Sequence, residues 1–166
     1  HWLKGGFPGS FLAPNEPARQ AWMTNFITTY LEKDLPQLGL RAAPAMLERL
    51  MLMLSYSQGG LANYQELAKS LGITSPTLTN YVDFLERALL LRRLRPYHSN
   101  IGKRLVKSHK IYVRDSVIVH HLLRIPDLNA LLGHPVIGGS WEGYVLEQVV
   151  NMLGPYEQVF FYRTAD

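Results

Sequence analysis

The stretch "NYQELAKSLGITSPTLTNYVDFLERALLLRRL" constrains the fold of this chain more than any other part of its sequence. Asn63 is followed three residues later by Glu66, which is the capping-box pattern at the start of a helix. Gly72 can supply the left-handed residue that ends this helix, and Ser75 is the expected cap of the next one. A short helix, a turn of about four residues and a longer helix predict a helix-turn-helix.

A further helix is predicted before this motif, and a β-ribbon after it. Pro44 suits the first turn of a helix that runs to about Ser57. The strands of the ribbon are predicted at Leu90–Tyr97 and Leu105–Val113, with "HSNIGK" as the tip between them. Three helices followed by a β-ribbon make a winged helix, which we predict over residues 44–114.

Smaller segments flank the winged helix, and together they predict an α+β chain that is mostly helical. Residues 1–43 are expected to hold an irregular start, rich in Gly and Pro, and one helix, Ala18–Leu35. Residues 115–166 are expected to hold a short buried helix, a loop from Pro126 to Gly139, a helix capped by Ser140 and a strand in "EQVFFYR".

The last helix and the last strand are both expected to make contacts. The helix carries side chains spaced for one contact face, namely Trp141, Tyr144, Val145, Gln148, Val149 and Met152. The apolar run of the strand indicates burial on both of its faces. Because its edge would otherwise be exposed, we expect the strand to pair with a second copy of the chain or with the earlier ribbon.

Basic residues are concentrated in one segment. From Arg87 to Arg114, both included, the sequence holds nine Lys or Arg and no acidic residue, so this segment has a charge of +9. The rest of the chain has a charge of −5, which gives the whole chain its net charge of +4. Such a segment can bind phosphate, dock on an acidic protein surface or remain a solvated hairpin. The sequence leaves all three alternatives open.

For nucleic acid, the predicted contacts fall on the wing and on the second helix of the helix-turn-helix. On the wing they are the cations Arg93, Arg95, Lys103 and Arg104, and Arg92 is expected to point to the opposite face of its strand. On the helix they are the polar residues of its first turns, Thr77, Thr79 and Asn80. Asp83 and Glu86 on the same helix would repel phosphate, which argues against specific base readout.

Other kinds of site find little support in the sequence. Without cysteine, disulfides and thiolate zinc sites are excluded, and a cytoplasmic location is expected. Charges break the apolar runs well short of the ~20 residues of a membrane span. His120 and His121 are adjacent on a predicted helix, so we expect packed or surface histidines and no metal site. Asp115 is expected to cap the helix that follows it.

Several landmarks occur in a fixed order along the chain: "GGFP", "TYLEKDL", "TLTNYVDFLERALLLRRLRPY", "KIYVRDS", "WEGYVLEQVV" and "FFYRTAD". In this order they resemble the C-terminal domain of unknown function that follows the ATP-binding module in a group of prokaryotic AAA-type ATPases. The resemblance covers nearly the whole chain, although Lys33 stands where that family usually has Arg. It implies a winged helix followed by the start of a restriction-endonuclease-like fold, and a region that binds or couples without catalysis.

The same resemblance matches Glu142 to an acidic residue of the nuclease-like fold. A nuclease of that type needs two or three carboxylates for Mg²⁺ and a lysine that helps to activate water, and only one matching carboxylate occurs here. The sequence also contains no G-x-x-x-x-G-K-[ST] motif for phosphate binding. We therefore expect no enzyme in this chain; ATP and Mg²⁺ are implied only for the ATPase module, and a nuclease remnant is a further alternative.

The sequence starts at His1 and ends at Asp166 in the middle of a pattern, which indicates a fragment of a longer protein. The expected partners are duplex DNA, the ATPase module of the parent protein and a second copy of the chain, with no membrane contact.

Overall fold

The structure is a computed structural model, and it describes residues 1–97, 108–154 and 157–162. Its helices are α1 (Pro8–Phe11), α2 (Glu16–Thr29), α3 (Leu35–Gln37), α4 (Pro44–Tyr56), α5 (Tyr64–Leu71), α6 (Ser75–Arg87), α7 (Ser116–Leu122), α8 (Leu128–Leu132) and α9 (Ile137–Met152). A π-helical turn, Tyr30–Asp34, joins α2 to α3. The strands are β1 (Leu91–Pro96), β2 (Lys110–Val113) and β3 (Phe160–Phe161).

Helices α4, α5 and α6 followed by the antiparallel pair β1 and β2 form the predicted winged helix. The Asn63 side chain accepts a hydrogen bond from the backbone N–H of Glu66 at 3.2 Å, and Gly72 is left-handed with φ of 68°. The predicted cap at Ser75 is wrong by one residue. Thr74 has the extended backbone and accepts from the backbone N–H of Thr77, while Ser75 is the first helical residue.

The three strands form one small sheet in the order β2-β1-β3. Leu91 pairs with Val113 in the antiparallel half, and Arg95 pairs with Phe160 in the parallel half. Pairing of the last strand with the earlier ribbon is therefore confirmed. The expected burial of both its faces is wrong, because Phe161 is buried while Phe160 is exposed. The predicted wing tip and the start of the second ribbon strand lie outside the described residues.

The main hydrophobic core joins the N-terminal helices, the winged helix and α7. Its fully buried members include Met23, Leu35, Leu47, Leu50, Leu78, Val82, Leu85, Val117 and Val119. A second, smaller cluster lies between the sheet and α9, with Leu94, Tyr112 and Phe161 at its centre. The winged helix and the segment after it are thus held together by two apolar layers.

Four predicted segments outside the winged helix differ in the structure. The start, which was predicted to be irregular, contains α1. The single helix Ala18–Leu35 is instead α2, the π-helical turn and α3, which extends past Leu35 to Gln37. The predicted loop from Pro126 to Gly139 contains α8 and the first turn of α9. Ser140 is an interior residue of α9 and not its cap, because α9 begins at Ile137.

Most of the side chains of α9 that were expected to make contact are exposed within this chain. Trp141 is 50% exposed, Val145 39%, Val149 47% and Met152 86%. The buried residues of α9 are instead Ser140, Gly143 and Glu147. The physical reason is close approach: a Cβ added to Gly143 would lie 2.7 Å from Nε2 of Gln58, and one added to Gly139 would clash with the backbone oxygen of Gln58. Only the side of α9 that carries Gly139 and Gly143 can pack this closely against Gln58.

No helix among the described residues is both long and apolar enough to cross a membrane.

Candidate nucleic-acid interface

The cations of the ribbon divide between the two faces of β1, as the strand alternation predicts. Arg92 turns towards α9, where its Nη2 donates to Oε2 of Glu147 at 3.0 Å. Arg114, which follows β2, donates from Nε to the same oxygen at 2.8 Å. Glu147 is buried, so one carboxylate holds two half-buried guanidinium groups between the ribbon and α9.

Arg93 turns the other way, towards α6. Its Nη1 lies 2.7 Å from Oδ1 of Asp83, and its Nε donates to Oε2 of Glu86 at 2.7 Å. Burial disfavours the charge of Arg93, but the hydrogen bonds to Glu86 outweigh it and hold its pKa above the ordinary value. Arg93 is therefore engaged by acids of the same domain. In turn it neutralises one of the two negative charges that Asp83 and Glu86 place on α6.

Arg95 is the predicted wing cation that the structure leaves exposed. Within residues 1–97, 108–154 and 157–162, its guanidinium makes no ion pair with an acidic side chain. The other two predicted wing contacts, Lys103 and Arg104, lie outside the described residues. The structure therefore separates Arg93 from Arg95, although both lie on the same face of the strand.

Of the three polar side chains predicted to bind at the start of α6, that of Asn80 is exposed. Thr77 and Thr79 are half-buried, and their hydroxyl groups already have local partners. The hydroxyl of Thr77 lies 2.8 Å from that of Thr74, and the hydroxyl of Thr79 donates to the backbone oxygen of Ser75 at 2.9 Å. A hydroxyl that is satisfied locally has less to offer a base edge.

Glu142 lies on α9 beside the ribbon. Its Oε1 accepts from Nζ of Lys110 at 2.8 Å and from the hydroxyl of Tyr112 at 2.7 Å. Burial tends to raise the pKa of Glu142, but these two hydrogen bonds outweigh it and lower the pKa. Over the described parts of the chain, no three His, Cys, Asp or Glu side chains are grouped to hold a metal ion. The carboxylate connects α9 to β2.

A buried hydrogen-bonded chain near the start of α9 was missed by sequence reasoning. Nδ1 of His120 donates to the backbone oxygen of Leu3, so Nε2 accepts from the hydroxyl of Ser140 at 2.7 Å. The indole N–H of Trp2 donates to the same serine oxygen at 3.0 Å. Burial lowers the pKa of His120 to about 4, so the ring is neutral at pH 7. Because Ser140 and His120 are both fully buried, the pair is packing and not a nucleophile with its base.

The remaining predicted side chains have structural roles. Nδ1 of His121 lies 2.7 Å from Oε1 of Gln20, so the prediction of packed or surface histidines is confirmed. Asp115 caps α7 as predicted, accepting from the backbone N–H of Val117 at 2.9 Å. Its second oxygen accepts from the backbone N–H of Gly6 at 2.9 Å, which attaches the N-terminal segment to α7.

Several proteins of known sequence are similar to this chain. An uncharacterized protein of Mycobacterium tuberculosis and one of Mycobacterium bovis are each 45% identical to it over 163 residues. These matches cover 98% of this chain but 37% of each relative, so the chain spans little more than a third of their length. An uncharacterized protein of Methanocaldococcus jannaschii is 40% identical over 63 residues, which are 38% of this chain and 13% of that protein.

Two solved structures resemble the chain weakly. One is MepR, a transcription regulator of the Staphylococcus aureus multidrug efflux pump MepA, at 16% identity and a TM-score of 0.36, covering 80% of this chain and 95% of MepR. The other is the S. aureus MepR–DNA complex, at 17% identity and a TM-score of 0.35, covering 90% of this chain and 87% of that one. With both TM-scores below 0.5, the likeness establishes nothing about this chain.

A family model matches residues 1–129, which include the winged helix and end before α9. The chain therefore belongs to the family described as Domain of unknown function (DUF8612).

Proposed function

We propose that the winged helix, residues 44–114, binds duplex DNA through its wing, as the non-catalytic binding region of an AAA-type ATPase. The contacts are cations on phosphates: Arg95, Lys103 and Arg104. Asn80 and the neighbouring Thr77 and Thr79 at the start of α6 supply weaker polar contacts. Binding of this kind depends little on base sequence.

The observation that carries this proposal is the pairing of Arg93 with Asp83 and Glu86. These are the two acids of α6, and Arg93 offsets about half of the negative charge with which they would repel phosphate. The wing segment 98–107 adds Lys103, Arg104 and a further lysine, with no acid, beside the exposed Arg95. Among the described residues the exposed Arg95 remains without an acidic partner, and the sequence of the wing segment adds three further cations.

The test is binding of the chain to two unrelated duplexes, measured by fluorescence anisotropy at two salt concentrations. Each phosphate that is neutralised contributes about 0.9 to the slope of log affinity against log salt. Three contacts predict that affinity falls about 40-fold between 50 and 200 mM salt, by a similar factor for both duplexes.

A matched pair of variants locates the surface. Arg95→Glu, Lys103→Glu and Arg104→Glu together should abolish the salt-dependent binding. The control combines Lys33→Glu, Arg41→Glu and Arg49→Glu, three exposed cations outside the wing, with the same change in net charge. Equal losses in both variants would mean that only net charge matters. An unchanged affinity in the first variant would rule the wing out.

A second candidate function, docking on protein, is favoured by a different observation. Arg92, Lys110 and Arg114 already pair with the two acids of α9, so one side of the ribbon meets protein within this chain. The ribbon could couple in the same way to the ATPase module, which is where ATP and Mg²⁺ are expected. If the chain shows no salt-dependent binding to DNA, docking is the better-supported function. The nuclease alternative is weaker, since Glu142 is engaged by Lys110 and Tyr112.

A further inference from the structure

Helix α9 carries exposed apolar side chains on the side that faces away from the ribbon and α7. Its inner side, with Ser140 and Gly143, packs on the ribbon and α7, and both of its charged residues form ion pairs with the ribbon. Its outer side carries Trp141, Val145, Val149 and Met152, about 180° around the helix from the inner side. Exposed apolar patches of this kind commonly mark interaction surfaces. The outer side of α9 therefore has the composition of an interface.

The spacing on the outer side suits one kind of partner. Trp141, Val145, Gln148 and Met152 follow one another at steps of four, three and four residues, which matches the a/d spacing of a coiled coil over less than two heptads. Of these, Trp141 also contacts Trp2 of the same chain, with 5.0 Å between the ring centroids. If α9 packs antiparallel on a copy of itself, Trp141 meets Met152 of the partner subunit. Val145 then meets Gln148 of the partner subunit, and the two-fold axis repeats both layers. The seam is thus complementary to itself.

We propose that the outer side of α9 is a dimer interface, on which a second copy of this chain packs its own α9 in the antiparallel direction. The seam carries no charge, so like charges do not oppose each other across the axis. Antiparallel helices also place opposite ends of their dipoles side by side. The proposal rests on α9 alone and does not depend on DNA binding.

The size of the contact predicts how the dimer behaves. Helix α9 has 16 residues, which corresponds to a length of about 24 Å. One helix from each subunit buries less than the ~800 Å² per partner of a standard interface. We therefore expect a dimer that dissociates on dilution.

The first test is the molar mass of the chain over a concentration series, by light scattering after size exclusion. The unsubstituted chain should approach twice the monomer mass as concentration rises. Val145→Asp places a charge in the middle of the seam and should hold the chain at the monomer mass. Leu38→Asp is the matched control, because Leu38 is an exposed apolar residue far from α9 in sequence, and it should leave the dimer intact.

The second test determines the register of the two helices by disulfide cross-linking. Because the sequence contains no cysteine, only the introduced cysteines can form a disulfide. A mixture of Val145→Cys and Gln148→Cys chains should form a disulfide-linked dimer under mild oxidation. A mixture of Val145→Cys and Met152→Cys chains is displaced by one helical turn and should link several-fold less.

Three results would overturn the proposal: a monomer at every concentration, a dimer that survives Val145→Asp, or equal linking in both mixtures. If the chain is a monomer, the outer side of α9 is an interface for a different polypeptide. Circular dichroism of each variant checks that the chain remains folded, and the cysteine variants test the register without a charge in the seam.

Discussion

Single glycine residues decide how closely α9 approaches the rest of the molecule. A Cβ at Gly139 would clash with the backbone oxygen of Gln58, which cannot move without the turn that carries it. A Cβ at the adjacent Gly138 would meet nothing within 4 Å. Gln58 itself is tied to the sheet, because its side chain donates to the backbone oxygen of Val113 at 3.0 Å and accepts from its N–H at 2.8 Å.

This pair of neighbours gives a controlled prediction. Gly139→Ala should lower the free energy of unfolding by about 2 kcal/mol, since overpacking a tight contact costs ~1–3 kcal/mol. Gly138→Ala should raise it by about 0.5–1 kcal/mol, because alanine is the better residue inside a helix. Unfolding in urea measures both values. Equal effects of the two substitutions would show that α9 does not approach Gln58 so closely.

His120 makes the stability of the fold depend on pH. Its pKa is about 4 in the folded chain, because of burial, and near 6.5 when unfolded. The unfolded chain therefore binds the proton more readily, and stability falls as the pH drops from about 6.5 towards 4. Between pH 7.5 and 5 the loss attributable to this residue is about 2 kcal/mol.

The measurement is urea unfolding at several pH values, on the unsubstituted chain and on His120→Gln. The variant should be less stable at pH 7.5, because it cannot reproduce both hydrogen bonds, but its stability should change less on acidification. Parallel curves for the two proteins would assign the acid sensitivity to other groups.

At the scale of elements, the ribbon and α9 are joined through Glu147. Glu147→Gln should lower the free energy of unfolding by roughly 2–4 kcal/mol, because Arg92 and Arg114 remain half-buried without a countercharge. The control is Glu32→Gln, an exposed residue of the π-helical turn, which should change stability by less than about 0.5 kcal/mol. A small effect at Glu147 would mean that solvent supports the two arginines.

The first helix of the helix-turn-helix is stabilised by the Asn63 cap, which can be recognised directly in the sequence. Asn63→Ala removes the side-chain acceptor at the start of α5 and should cost about 1 kcal/mol. Gln65→Ala, two residues later and exposed, should be nearly neutral in the same urea unfolding experiment. If the two substitutions had the same effect, the cap would contribute nothing measurable.

At the scale of the whole molecule, the family match ends before the last helix that packs against the ribbon. The match ends at residue 129, whereas Tyr112 and Leu94 of the ribbon lie in a cluster that Leu146 of α9 helps to cover. A chain of residues 1–129 therefore leaves part of the ribbon uncovered.

We expect this shorter chain to keep its helical core and lose protection in the ribbon. Hydrogen exchange should accelerate in β1 and β2, while α4 and α6, which lie in the main core, should exchange at rates close to those of the full chain. Unchanged protection of the ribbon would show that the winged helix is complete without α9.

The winged helix could be predicted because its signals are local. The cap at Asn63, the left-handed Gly72 and the helical spacing of apolar residues act within a few positions of the chain. The division of the ribbon cations between the two faces of β1 could be predicted for the same reason, because strand alternation places Arg92 and Arg93 on opposite faces. The candidate contacts at Arg95 and Asn80 follow from these elements, and the structure leaves both exposed.

The sequence by itself therefore determined the elements that short-range interactions specify. These are the three helices and the basic ribbon of the winged helix, and the order in which they follow one another along the chain. Only the tertiary structure decided which cations remain for a ligand, because the partners of Arg92 and Arg93 differ and one of them lies 55 residues away. It also decided which side of α9 is buried. Apolar spacing predicted the outer side, but the close approach to Gln58 requires glycine at positions 139 and 143. Steric fit between distant segments of the chain does not follow from any local pattern in the sequence.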